Sequence, residues 1–233
     1  MAEIRPTRFQ ILPVVIKNLL IINTLVFLAQ VILRQEFDID RYFALHTWQS
    51  PFFKPWQLIT HMFMHGKTEH LIFNMLALWM FGSVLEGVWG PKKFLIFYLL
   101  CGLGAALAHM LVLYYEMQHL IFQFEHAANV GTQEYFRDKI GGQLVSATVG
   151  ASGAVFGCLA AFGFMYPESY IYVYFLVPIK AKWFVILYAA MELFLGIKNS
   201  AGDNVAHFAH LGGAVVGFLL VYFWKKSNRQ NFY

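Results

Sequence analysis

Charge is scarce in this sequence. Of 233 residues only 13% are Asp, Glu, Lys or Arg, against 59% hydrophobic and 18% aromatic. A water-soluble globule of that length cannot cover its surface with so few polar groups, so a soluble fold is excluded. Cysteine is nearly absent: Cys101 and Cys158 are the only two. Both lie in apolar runs, which excludes a disulfide framework and leaves them as small packing residues. The net charge of +4 comes from basic residues that flank apolar runs without forming a basic patch interleaved with aromatics, so no nucleic acid is expected. Internal repeats and low-complexity segments are missing too, which argues against a small transporter built from matching halves. There is no His-Glu-x-x-His pattern, and Glu69 is the only carboxylate beside His61, His65 and His70. No metal and no cofactor is therefore expected, and His65 is read as bracing its loop.

What the chain has in abundance is long apolar runs. A bilayer crossing takes about 20 apolar residues as helix, because lipid offers no partner to a free backbone group. Six runs meet that pattern, at 14–33, 69–87, 93–115, 150–166, 181–197 and 204–224. The expected fold is an all-α polytopic membrane protein, a six-helix bundle forming one domain over 1–233. The first run carries Lys17 and no small-residue cleavage site, so it reads as an uncleaved span. The segment 34–68 mixes Trp48, Trp56 and other aromatics with charges and prolines, as a long interfacial first loop does. The segment 116–147 reads as a polar insert with some helix near 133–140, and its charges as a solvated face. Residues 171–177 are too short to cross and are expected at the interface, ended by Pro178. Six crossings put both termini on one face. Ten Lys and Arg fall on that face, from Arg5, Arg8 and Lys17 to Lys225, Lys226 and Arg229, against seven on the other. The positive-inside rule makes it cytoplasmic.

Spans two, four and six all enter from the outer face, and each carries polar residues a few positions inside. These are His70 and Asn74, Ser152, and His207 and His210. Uncompensated polar groups in hydrocarbon cost several kcal/mol, roughly, and persist where they line a cavity or work together. His70 and Asn74, spaced i and i+4, share a helical face. Ser152 falls in the first turns of span four, where free backbone N–H groups favour developing negative charge. Around it, Gly150, Gly153 and Gly157 remove side-chain bulk, and Gly213 and Gly217 do the same on span six. The two small-residue faces would let the helices approach until Ser152 reaches a histidine. Glu192, a turn from the outer end of span five, is read as reaching water.

Three motifs in consecutive even spans, His70-Leu-Ile-Phe-Asn74, Gly150-Ala-Ser152-Gly-Ala-Val-Phe-Gly157 and Ala206-His207-Phe-Ala-His210-Leu-Gly-Gly213, resemble those of the rhomboid intramembrane serine proteases. Trp56-Gln57 followed by Thr60-His-Met-Phe-Met-His65-Gly66 is similar to that family's first loop, and Glu86-Gly-Val-Trp-Gly90 to its second-span exit. The resemblance implies Ser152 as nucleophile and His210 as general base, with His70, Asn74 and the Ser152 backbone N–H stabilising the oxyanion. His210 is preferred to His207 because Gly213 and Gly217 follow it at the family's spacing, which leaves His207 at the rim. Trp56 would anchor the loop, while Gln57 stands where family members often carry arginine. No third acidic residue is evident, so the expectation is a Ser/His dyad with His210 oriented by packing on Phe156.

The implied function is an intramembrane serine endopeptidase. Its partners would be the lipid bilayer and membrane-anchored protein substrates with a transmembrane helix. A non-catalytic relative that binds or escorts membrane clients is the alternative, and would be expected to have lost the serine or the histidine. The compact form without extra domains suggests a bacterial cytoplasmic (inner) membrane, with the active site opening to the outer side.

Overall fold

The computed structural model describes residues 11–173, 176–198 and 206–230, the side chains of 227–230 excepted. Arg5, Arg8, Asp203, the 204–205 start of span six and the Arg229 side chain, which enter the expectations above, lie outside the described residues.

Helix α1 (Val14–Leu33) starts straight after Pro13. Its second and third N–H groups, on Val15 and Ile16, donate to the two carboxylate oxygens of Glu86, each at 2.9 Å. A carboxylate at a helix N-terminus satisfies donors that have no intrahelical acceptor and meets the positive end of the dipole. The first loop folds as α2 (Ile39–Phe43), β1 (Leu45–His46), α3 (Gln57–Thr60) and a 3-10 turn at His61–Phe63. The next rod runs from Thr68 to Trp89 as α4 (Thr68–Ala77), a π turn at Leu78–Gly82, and α5 (Ser83–Trp89). Gly90, at φ 78°, closes it in a conformation that suits glycine, and Pro91 opens α6 (Pro91–Glu125) with its φ already helical.

At 35 residues α6 is about 52 Å long, well beyond a hydrocarbon core of about 30 Å. It therefore overruns the expected end at 115 by ten residues. The polar insert is consequently mostly helix, continuing as α7 (Val130–Val145), which Asn129 and Thr132 open with a reciprocal capping box. No residue of α7 is buried, in keeping with a solvated face. Strand β2 (Ala147–Thr148) pairs antiparallel with β1, Leu45 opposite Thr148 and His46 opposite Ala147. This ties the first loop to the segment entering α8 (Ser152–Met165).

After α8 the chain forms a hairpin of β3 (Tyr170–Val173) and β4 (Val177–Lys180), with Tyr172 opposite Pro178. Pro178 thus lies inside a strand instead of ending an apolar segment; a two-stranded ladder has an outer edge that asks no N–H of it. Glu168 accepts from Lys180 at 2.7 Å and also pairs with Lys182. The two ammonium groups hold its carboxyl down at about 2. The bundle closes with α9 (Ala181–Lys198) and α10 (His207–Gln230). The two small ladders qualify the all-α expectation without changing the architecture, a helical polytopic membrane bundle.

Among the described residues, four rods are long and apolar enough to cross a bilayer: Val14–Leu33, Thr68–Trp89, Pro91–Glu125 and His207–Lys226. The other two differ in instructive ways. Helix α9 carries Lys182, Glu192 and Lys198, and α8 has only 14 residues, about 21 Å of rise. Yet α8 is the middle of the bundle, with nine of its 14 residues buried against three of 20 in α1. It packs between α6 and α10, while α1 turns Ile21, Leu25, Leu28 and Ile32 outward. Cys101 and Cys158 are both free and buried, as packing residues.

Candidate active site

Small residues decide how close α8 and α10 come. A Cβ added to Gly213 would collide with the Gly153 carbonyl, and one on Gly217 would lie 2.5 Å from the Gly157 carbonyl oxygen. Only glycine lets these backbones touch, and the pairing is the one expected from the two small-residue faces. On α10 the approach carries His210 to α8, where its Nε2 lies 2.9 Å from Ser152 Oγ. The His210 ring stacks on Phe156, centroids 4.2 Å apart and planes 5° from parallel. Phe156 in turn packs on Tyr188 of α9.

Behind His210 stands an acid that the sequence reading discounted. Glu192 is 3% exposed and does not reach water. Its Oε2 lies 2.9 Å from His210 Nδ1 and 2.7 Å from His207 Nδ1. Two earlier expectations are thereby corrected. An acidic side chain, where none was evident, is hydrogen-bonded to His210 on the side away from Ser152. His207 is a buried residue in the first turn of α10 and not a rim residue. The sequence reading placed Glu192 by its depth along α9, whereas its facing is set by the crossing of α9 on α10. The ligand atoms of Glu192, His207 and His210 lie within 4.8 Å of one another, the spread of a possible metal cluster, though 2.7 and 2.9 Å are hydrogen-bond distances.

The remaining candidates gather on the same cavity of about 680 Å³, which is lined by Ser152, His210, His70, Asn74 and Gly150. Gly150 has φ 139°, where a side chain is strained, and space there is also refused: a Cβ would lie 2.8 Å from His70 Cε1 and 3.4 Å from Ser152 Oγ. Its N–H donates to the His61 carbonyl at 2.9 Å, which fixes the turn into α8. His70 and Asn74 share a face as expected, and Asn74 Nδ2 donates to the His70 carbonyl at 2.9 Å, leaving the second amide hydrogen for the cavity. Ser152 is the first residue of α8, so its N–H belongs to the set without intrahelical acceptors. His109, half-buried on α6, also lines the cavity and meets Thr148 Oγ1 at 2.7 Å. Sequence reasoning missed it, although an imidazole in a long apolar run is signal enough.

The first loop is tied at Trp56 and, by more bonds, at Gln57. Trp56 is half-exposed, and its indole Nε1 donates to the Tyr42 carbonyl at 2.9 Å. Gln57, fully buried, is the hub. Its Oε1 accepts from the N–H of His46 and Lys54, and its Nε2 reaches the carbonyls of Arg41, Tyr42 and Phe52. A neutral amide with both donors and acceptors knits the loop where a cation could only donate. Next to it His61 Nδ1 donates to the Gln57 carbonyl at 2.8 Å. Burial pushes the His61 imidazole down to about 4, and does the same to His65.

These elements are those of a known family. A model of the Rhomboid domain matches residues 53–227. The chain is 27% identical over 222 residues to the RHOMBOID-like protein 12, mitochondrial, of Arabidopsis thaliana, covering 94% of this chain and 60% of that protein. It is 30% identical over 174 residues to the Rhomboid protease AarA of Providencia stuartii, covering 71% and 54%, and 29% identical over 163 residues to the Rhomboid protease GluP of Bacillus subtilis, covering 70% and 25%. The chain thus spans 60% or less of the length of these relatives. They include a mitochondrial protein as well as bacterial ones, so the likeness does not support placement in a bacterial cytoplasmic membrane. Matched over three quarters of its length, with apolar rods around a half-buried Ser152 and buried His210 and Asn74, the chain belongs to the rhomboid family of membrane proteins.

Proposed function

We propose that this protein is an intramembrane serine endopeptidase that cleaves membrane-anchored proteins within or beside a transmembrane helix. The observation that carries the reading is Ser152 Oγ at 2.9 Å from His210 Nε2 on the wall of a cavity that His70 and Asn74 also line. A serine hydroxyl is a weak nucleophile alone and becomes competent beside a base.

In the reaction, Ser152 Oγ bonds to the scissile carbonyl carbon while its proton passes to His210 Nε2. The negative charge forming on the carbonyl oxygen falls to the Ser152 N–H at the positive end of α8, to the free Asn74 amide hydrogen and to His70. Collapse breaks the C–N bond, and His210 returns the proton to the leaving amine. A water then attacks the acyl-serine, giving its proton to His210, and the acid product leaves with Ser152 restored. Six crossings would place both termini on the face richer in Lys and Arg, with the cavity near the other.

The short α8 serves this chemistry. A rod of about 21 Å in a core of about 30 Å starts below one surface, so its N-terminus and Ser152 sit at depth while the cavity above stays open to water. The test is covalent labelling of the purified chain with a fluorophosphonate probe, together with cleavage of a single-span substrate in liposomes. Labelling at Ser152, lost in Ser152→Ala and His210→Ala along with cleavage, is the expected result. Undiminished cleavage by purified Ser152→Ala removes the assignment.

A further inference from the structure

We propose that Glu192 is a positioning residue for the same reaction: as a buried carboxylate it fixes the tautomer and the aim of His210, and His207 pins the carboxylate in turn. The proposal rests on the serine-protease reading above and adds a third group to it.

Three observations converge. First, the two ring nitrogens of His210 have separate partners on opposite sides, Nδ1 on Glu192 Oε2 and Nε2 on Ser152 Oγ, each at 2.9 Å. A carboxylate only accepts, so an Nδ1 bonded to it carries the hydrogen. Neutral His210 then has its lone pair on Nε2, the atom that faces the serine hydroxyl. Without the acid nothing in the Phe156 stacking selects that tautomer, because a ring face does not distinguish Nδ1 from Nε2.

Second, the carboxylate is itself held. His207 Nδ1 donates to the same Oε2 at 2.7 Å, and residues 207 and 210, three apart on α10, share one helical face. Both imidazoles therefore close on one oxygen brought across from α9. With the two donors in place, rotation of the Glu192 side chain would break two bonds at once.

Third, the group is buried, at 3% exposure. A carboxylate out of water is costly unless it is paired and hydrogen-bonded, and groups of this kind persist in membrane helices mainly at functional sites. When His210 takes the serine proton, the charge that forms on its ring lies against the Glu192 carboxylate. Glu192 keeps its carboxylate form throughout and no proton moves to it, so the step balances with Ser152 as donor and His210 as acceptor.

The experiment uses the full chain in liposomes, with a single-span substrate and the fluorophosphonate probe. Glu192→Gln is expected to lower kcat by roughly 10²- to 10⁴-fold with KM little changed, and to slow labelling of Ser152 in parallel, the pattern of lost transition-state stabilisation. Glu192→Asp should recover at least about tenfold over the Gln variant, because a shorter carboxylate still accepts from Nδ1–H. A Gln variant that melts like wild type and turns over at the wild-type rate overturns the proposal. Should that variant fail to fold, histidine ¹⁵N spectra of the wild-type protein decide: hydrogen on His210 Nδ1 supports it, and hydrogen on Nε2 overturns it. Failure of wild-type protein to label at Ser152 would instead sink the protease reading and this inference with it. Labelling of wild type without any effect of Glu192→Gln sinks this inference alone.

Discussion

Gly213 and Gly153 meet backbone to backbone: the position a Cβ of Gly213 would take is occupied by the Gly153 carbonyl. Gly153 directly follows Ser152, and Gly213 lies three residues after His210, so this contact sets the separation across which the hydroxyl and the imidazole hydrogen-bond. Gly213→Ala must push α10 away from α8 or bend one of them. Overpacking of this kind costs about 1–3 kcal/mol, and the Ser152–His210 bond of 2.9 Å would lengthen out of range. The expected outcome is a lower melting temperature in detergent together with loss of fluorophosphonate labelling. Gly141→Ala on exposed α7, where a Cβ meets nothing within 4 Å, is the control and should label at the wild-type rate.

Asn74 presents one amide hydrogen to the His70 carbonyl and has a second for the cavity. If that second hydrogen meets the developing oxyanion, Asn74→Ala should reduce kcat by roughly tenfold to a thousandfold, as loss of one such donor does. Steady-state cleavage of the single-span substrate measures it. A variant with unaltered kcat would restrict Asn74 to its helix contact with His70.

The rods and the central pair were legible because they are written in local patterns. Apolar length marks the spans, and glycines at fixed spacing mark the faces of α8 and α10 that touch. What stayed hidden depends on rotation of one helix against another. Whether Glu192 faces water or α10 changes with a third of a turn, and nothing within α9 fixes that angle. The glycine spacing that singles out His210 leaves His207 at the rim, and spacing along α10 does not tell that Glu192 of α9 covers its first turn. The Gln57 hub was missed for another reason: its five contacts are to backbone groups of residues 41–54, and backbone acceptors leave no mark on side-chain identity. The extent of α6 was underestimated since its last ten residues lie beyond the apolar run that defined it.

Glu86 and the start of α1 offer a test away from the cavity. Two N–H groups, on Val15 and the fully buried Ile16, lose their acceptors in Glu86→Ala. A buried donor left unpaired costs about 1–3 kcal/mol, so the variant should melt well below wild type. Glu86→Gln keeps an acceptor oxygen but drops the charge that complements the helix dipole, and an intermediate melting temperature is expected. If Glu86→Ala melted with the wild type, the carboxylate would not be what joins α1 to the second rod.

Acid should loosen the first loop. Burial holds His61 at about 4 in the folded protein, against 6.5 for the free side chain. As pH falls through 6.5 the unfolded chain takes up a proton that the folded chain refuses until about 4. The stability tied to this residue is thus present in full above 6.5 and lost progressively between 6.5 and 4. His61 donates to the Gln57 carbonyl, and its own carbonyl receives the Gly150 N–H, so the loss reaches both the loop hub and the turn that enters α8. Melting curves in detergent from pH 7.5 downward should fall with decreasing pH, and His61→Gln, which keeps a donor but cannot titrate, should fall less steeply. Parallel curves for the two proteins would remove His61 as the source of the acid sensitivity.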